Sequence, residues 1–164
     1  MIMIKKWNWI LFFMTIVLCI VIFYINYKYY AGVIGMGFFS QLIGLSLFYS
    51  VYGLFKKEKC RRINFVNGGI ITLIIIMFVI AIPDYTYKES RQIVASDYLG
   101  QKNTDTVDMP ILDKKTVPTN SSSSWFLYDQ LYYVGIKDDQ QNQMLYYAVD
   151  PIQGRILKLD QPFW

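Results

Sequence analysis

The chain has 164 residues; 54% are apolar types and 17% are charged, against roughly 25% charged in soluble domains. Its formal net charge is +4, and it contains no histidine. The missing histidine removes the commonest general base and the commonest metal ligand. The modest basic excess clusters beside apolar runs, which excludes a nucleic-acid reading.

The charge is divided unevenly. Residues 1–83 carry eight cations and one anion, and residues 84–164 carry eight cations and eleven anions. The two cysteines, Cys19 and Cys60, both fall in the first half. No disulfide can therefore hold the second half, which fits a bacterial surface, Gram-positive by preference.

Lys5 and Lys6 precede an uncharged run over residues 7–27. Its 21 residues match the roughly 20 needed to cross the hydrocarbon core. Trp7 and Trp9 at one end and Tyr24, Tyr27, Tyr29 and Tyr30 at the other form interfacial belts. The apolar core is too long for a signal peptide, and no small-residue cleavage site follows it. Leu18 stands where a lipidated cysteine needs a small neighbour, so Cys19 is expected to be buried and structural.

A second uncharged run follows, and its span is expected over residues 31–55. Gly32, Gly35, Gly37 and Gly44 are the expected helix-packing positions, because small residues let backbones approach closely in lipid. Gln41 is expected to hydrogen-bond across that seam. Five cations then stand within seven residues: Lys56, Lys57, Lys59, Arg61 and Arg62. A short basic loop between two spans stays cytoplasmic, so these five residues set the topology. A third span is expected over residues 63–83, closed by Pro83 and Asp84. Three spans place the N-terminus in the cytoplasm and the C-terminus outside the plasma membrane.

Beyond them, residues 85–98 form an expected helix with Asp84 as N-cap and Gly100 as its stop. Residues 101–124, with Pro110, Pro118 and four consecutive serines, read as a polar tether, partly ordered around residues 109–112. Residues 125–164 read as a β-rich unit of three strands, over 125–136, 144–149 and 155–159, in an antiparallel meander. Asp150-Pro151-Ile152-Gln153-Gly154 is turn chemistry: proline sets φ and glycine supplies the left-handed residue. The expected fold is a membrane α-helical domain of three transmembrane helices over residues 1–83 plus a small external α+β domain.

Alternation places Trp125, Leu127, Leu131 and Tyr133 on one face of the first strand, and Phe126, Tyr128, Tyr132, Val134 and Ile136 on the other. These aromatics exceed what so small a unit buries. Trp125, Phe126, Tyr128, Tyr132 and Tyr146 are therefore the expected partner-binding set.

The runs 131–137 and 144–157 resemble the end of a PepSY-like domain. Asp150, Gly154 and Ile156 match an ending of the form aromatic-x-Val-Asp-x-x-x-Gly-x-Ile. The resemblance covers about 30 of the 164 residues. It implies an extracytoplasmic regulatory or protein-binding module, sometimes a protease inhibitor.

No catalytic constellation stands out. The pair Asp138-Asp139 lacks the glycine and terminal glutamate of a calcium loop, and the serine run has no local base. The expectation is a non-enzymatic accessory or regulatory protein, of immunity or inhibitor type, with no cofactor and no metal. Its expected partners are the lipid bilayer and another membrane or extracytoplasmic protein, with no nucleic acid and no small-molecule substrate. The alternative is a structural subunit of a transport or secretion complex that docks through its helices.

Overall fold

A computed structural model describes residues 2–55, 60–102, 107–118, 128, 130–138 and 143–163. Lys56, Lys57, Lys59, Trp125 and Phe126 lie outside the described residues. The chain divides into two compact units. One holds Met1–Ile25 and Met36–Ile82; the other holds Asn26–Gly35 and Pro83–Trp164.

The first unit is helical. Helix α1 spans Ile2–Tyr30, α2 Met36–Phe55 and α3 Cys60–Ile80. Within them Lys6–Tyr30, Met36–Phe55 and Arg61–Ile80 are long and apolar enough to cross a membrane. The helices are apolar nearly all round, so amphipathicity does not select the packed face; a sparse seam does. Buried positions recur at Asn8, Leu11, Thr15 and Ile22 on α1, at Phe39, Ile43, Ser46, Ser50 and Gly53 on α2, and at Asn67, Ile71, Ile74 and Phe78 on α3. Apart from one step of seven on α1, steps of three and four alternate, which is the spacing of knobs-into-holes packing. Phe39 meets Phe78 edge-on, with ring centroids 5.9 Å apart. The other faces carry exposed Phe13, Val17, Phe48, Phe65, Ile76 and Val79.

The second span starts later than its apolar run. Ala31 and Gly32 both take positive φ, 50° and 86°, so the chain leaves α1 in a left-handed turn that no helix continues. The Gly32 N–H donates to the Asn26 carbonyl at 3.1 Å. Gly32 and Gly35 therefore belong to a connection, not to a helix seam.

The second unit contains helix α4, Tyr87–Lys102, and strands β1 Thr116–Pro118, β2 Gln130–Asp138, β3 Gln143–Val149 and β4 Ile156–Leu159. All four strands pair antiparallel in the order β1-β2-β3-β4. The sheet has one strand more than the expected three. Val117 in the polar segment buries its side chain beside Tyr133 and Ala148, and the Tyr133 N–H donates to the Lys115 carbonyl at 2.8 Å. Helix α4 is capped by Thr86 in place of Asp84. The Thr86 N–H donates to Glu89 Oε2 at 2.8 Å and the Glu89 N–H to Thr86 Oγ1 at 3.3 Å, a reciprocal capping box. The helix runs through Gly100, which does not take the left-handed conformation of a stop.

The β3–β4 turn follows the expected chemistry. Asp150 Oδ1 accepts from the N–H groups of Ile152 and Gln153 at 2.8 and 3.1 Å, and Gly154 closes the turn at φ 64°. A Cβ at Gly154 would also lie 3.0 Å from the Tyr85 ring. Tyr85 is fastened to the sheet twice: its N–H donates to Pro151 O at 3.1 Å, and its carbonyl accepts from Tyr132 Oη at 2.8 Å.

Candidate functional site

The strand period sorts the sheet residues into two faces with different surroundings. One face carries Tyr132, Val134, Ile136, Tyr147 and Val149. These pack with Tyr128, with Val94 and Tyr98 of α4, and with Val33 of the α1–α2 connection. Tyr132 is fully buried there and Tyr128 nearly so. Tyr87 meets the Tyr132 ring edge-on at 5.8 Å. Tyr128 and Tyr132 are thus core residues beneath α4, and neither offers its ring to a partner. The sequence placed them on one face correctly, but it gave no sign that α4 and the connection together would roof that face.

The other face carries Leu131, Tyr133, Tyr146, Ala148, Leu157 and Leu159. Tyr133 stacks on Tyr146, with centroids 5.7 Å apart and planes within 4°. Leu112 covers the end of this face at Gly135, where an added Cβ would lie 3.1 Å from its methyl groups. The Phe163 N–H donates to Tyr133 Oη at 3.3 Å. Between these covers Tyr146 stays half-buried, while Leu157 and Phe163 are 54% and 46% exposed. Of the expected partner-binding set, Tyr146 is the described member on this open face. Leu157 and Phe163 were missed because both lie outside the aromatic-rich stretches 125–136 and 144–149.

Burial pushes the hydroxyls of Tyr87, Tyr128, Tyr132 and Tyr133 above the ordinary tyrosine value. Two of them donate to backbone carbonyls: Tyr87 Oη to Tyr133 O at 3.3 Å and Tyr132 Oη to Tyr85 O at 2.8 Å. Among the described residues no group of three or more Cys, Asp or Glu side chains is placed to hold a metal ion.

The helical unit has a polar seam that the sequence reading did not single out. Thr15 Oγ1 donates to Leu11 O at 2.8 Å and lies 2.9 Å from Ser46 Oγ. Ser46 Oγ donates to Asn67 Oδ1, and Asn67 Nδ2 donates to Ser50 Oγ, both at 2.7 Å. All four side chains are buried. The expected packing residues lie elsewhere: Gly37, Gln41 and Gly44 are exposed, and a Cβ at Gly37 or Gly44 would meet nothing within 4 Å. Close approach occurs instead at Gly53, where a Cβ would lie 2.9 Å from Asn8 Nδ2. Cys19 is half-buried and free.

No family model, no curated protein and no solved structure matches the chain.

Proposed function

We propose that the chain is a membrane-anchored accessory or regulatory protein, not an enzyme, whose second unit lies outside the cell and binds another protein. The three long apolar helices support the anchoring. Arg61 and Arg62 at the start of α3 support a cytoplasmic N-terminus and an external C-terminus by the positive-inside rule. The contact surface in this reading is the open sheet face around Tyr146 and Leu157. The observation that carries it is the contrast between the two faces: α4 roofs one, and the other leaves Leu157 and Phe163 about half exposed beside a stacked tyrosine pair. Exposed apolar and aromatic groups that share a rigid sheet are the kind of surface that anchors protein interfaces. The PepSY-like ending of the strands fits the same reading.

A second reading is a subunit that docks to other helices in the membrane. It is favoured by Gln41, whose amide lies on the outer side of α2 beside Ser40 and Gly44. An amide facing lipid gains from a partner helix.

Photocrosslinking in intact cells separates the two. A photoreactive residue at position 157 captures a defined protein in the first reading, while one at the exposed position 92 of α4 does not. L157D abolishes that association without lowering the amount of chain in the membrane. Capture at position 41 alone overturns the first reading in favour of the second.

A further inference from the structure

At the start of α3 an open cavity of about 790 Å³ is lined by Arg61, Arg62, Asn64, Phe65 and Val66. Its residues divide by chemistry. Two guanidinium groups supply fixed positive charge with paired donors suited to a phosphate. Phe65 and Val66 are 86% and 45% exposed and present bare hydrocarbon. Asn64 completes the lining as a neutral polar residue.

The geometry points to a binding site for an anionic phospholipid, seated between the two arginines and the Phe65–Val66 wall. The phosphate meets Arg61 and Arg62, and an acyl chain lies along Phe65 and Val66. A free phosphate would satisfy only the arginines. It would leave most of the volume, which is in the range that holds a drug-sized ligand, and the apolar wall without a contact. The site rests on the reading of α3 as a membrane span, because that brings its first turns to headgroup level. It goes beyond the topological role of these cations, which needs charge alone and no cavity.

Native mass spectrometry of the full chain, extracted from membranes in mild detergent, tests the proposal. Phosphatidylglycerol and phosphatidylcholine are added in turn. The intact chain is expected to retain phosphatidylglycerol on the order of tenfold better, as two cations at an anionic surface predict. An excess of inorganic phosphate is expected not to displace it. R61Q/R62Q brings the two lipids close to parity, and K28Q, which removes a cation elsewhere, leaves the preference intact.

Equal retention of both lipids by the intact chain overturns the site. So does a loss of preference in K28Q as large as in R61Q/R62Q, which would reduce the effect to general charge attraction. Displacement by inorganic phosphate overturns the lipid in favour of a free anion. Failure of the membrane reading shows separately: the chain would then leave the membrane fraction on alkaline carbonate washing, before any lipid is added.

Discussion

Asn26 of α1 and Ile34 of the five-residue α1–α2 connection exchange two hydrogen bonds. Asn26 Nδ2 donates to the Ile34 carbonyl at 3.1 Å, and the Ile34 N–H donates to Asn26 Oδ1 at 3.2 Å. Both residues are buried. The side-chain amide thus does for Ile34 what a neighbouring strand would do, and it holds the connection where Val33 joins the core beneath the sheet. Ile34 also forms an antiparallel bridge with Tyr128.

N26A leaves a buried N–H and a buried carbonyl unpaired, each worth about 1–3 kcal/mol. It is expected to destabilise the second unit by several kcal/mol and to speed exchange of the Ile34 amide. N26D keeps an acceptor for the Ile34 N–H but sets a carboxylate against the Ile34 carbonyl, so it is expected to rescue nothing. Hydrogen exchange on the full chain reads both. An Ile34 amide equally protected in wild type and N26A would show that the pairing contributes nothing.

The same contact makes the second unit incomplete without the α1–α2 connection. A fragment of residues 83–164 lacks Val33 and Ile34, which are 0% and 1% exposed. It is expected to show no cooperative thermal transition. Restoring residues 26–35 through a short linker is expected to recover one, because it refills the core at Tyr128 and Tyr132. Near-UV circular dichroism of the two fragments decides the point. A fully cooperative transition in residues 83–164 alone would refute the dependence.

The helices were legible because uncharged runs of about 20 residues have few other readings. The strands were legible from alternation, and the β3–β4 turn from Asp150 and Gly154. What escaped was set by tertiary packing. Ala31-Gly32-Val33-Ile34-Gly35 is too short to carry a period, so nothing local says that it serves the sheet. Val117 sits alone in a polar segment and becomes a strand only because Tyr133 and Ala148 wait beside it. Glycines suggested a helix seam by composition, yet Gly37 and Gly44 face outward and Gly53 alone meets a neighbour closely among the described glycines of α2. Small size permits close approach without dictating which glycine is used.

Tyr132 gives the second unit an alkaline limit. Burial raises its hydroxyl, and the nearby Tyr30, Glu89 and Tyr128 add to the effect. A folded pKa above the unfolded value contributes stability that is complete below the ordinary 10.0 and is lost as pH rises through the folded value. Unfolding is therefore expected to become easier above pH 10. Y132F costs about 0.5–1.5 kcal/mol at neutral pH through the lost bond to Tyr85 O. It also lowers the alkaline slope by up to about one proton. Denaturation midpoints across the alkaline range check both, and an unchanged slope in Y132F would remove Tyr132 from the account.

Gly53 and Asn8 are coupled by space. A Cβ at position 53 would lie 2.9 Å from Asn8 Nδ2 and 3.0 Å from both Cγ and Oδ1, so the amide lies flat over the glycine. Asn8 is fully buried, and neither polar atom of its side chain has a hydrogen bond among the described residues. G53A must displace a buried amide from a packed seam, an overpacking that costs about 1–3 kcal/mol. N8A removes the amide and opens a small void, but it also removes two polar atoms without partners, so it is expected to cost less. In N8A/G53A the new methyl occupies space that the amide has vacated. The double variant is therefore expected to be more stable than the sum of the single changes by about 0.5–3 kcal/mol. Thermal unfolding of the four full-length proteins in one detergent completes the cycle. Additive effects would mean that Asn8 already moves freely over Gly53, and that the close approach of α1 and α2 is set elsewhere along the seam.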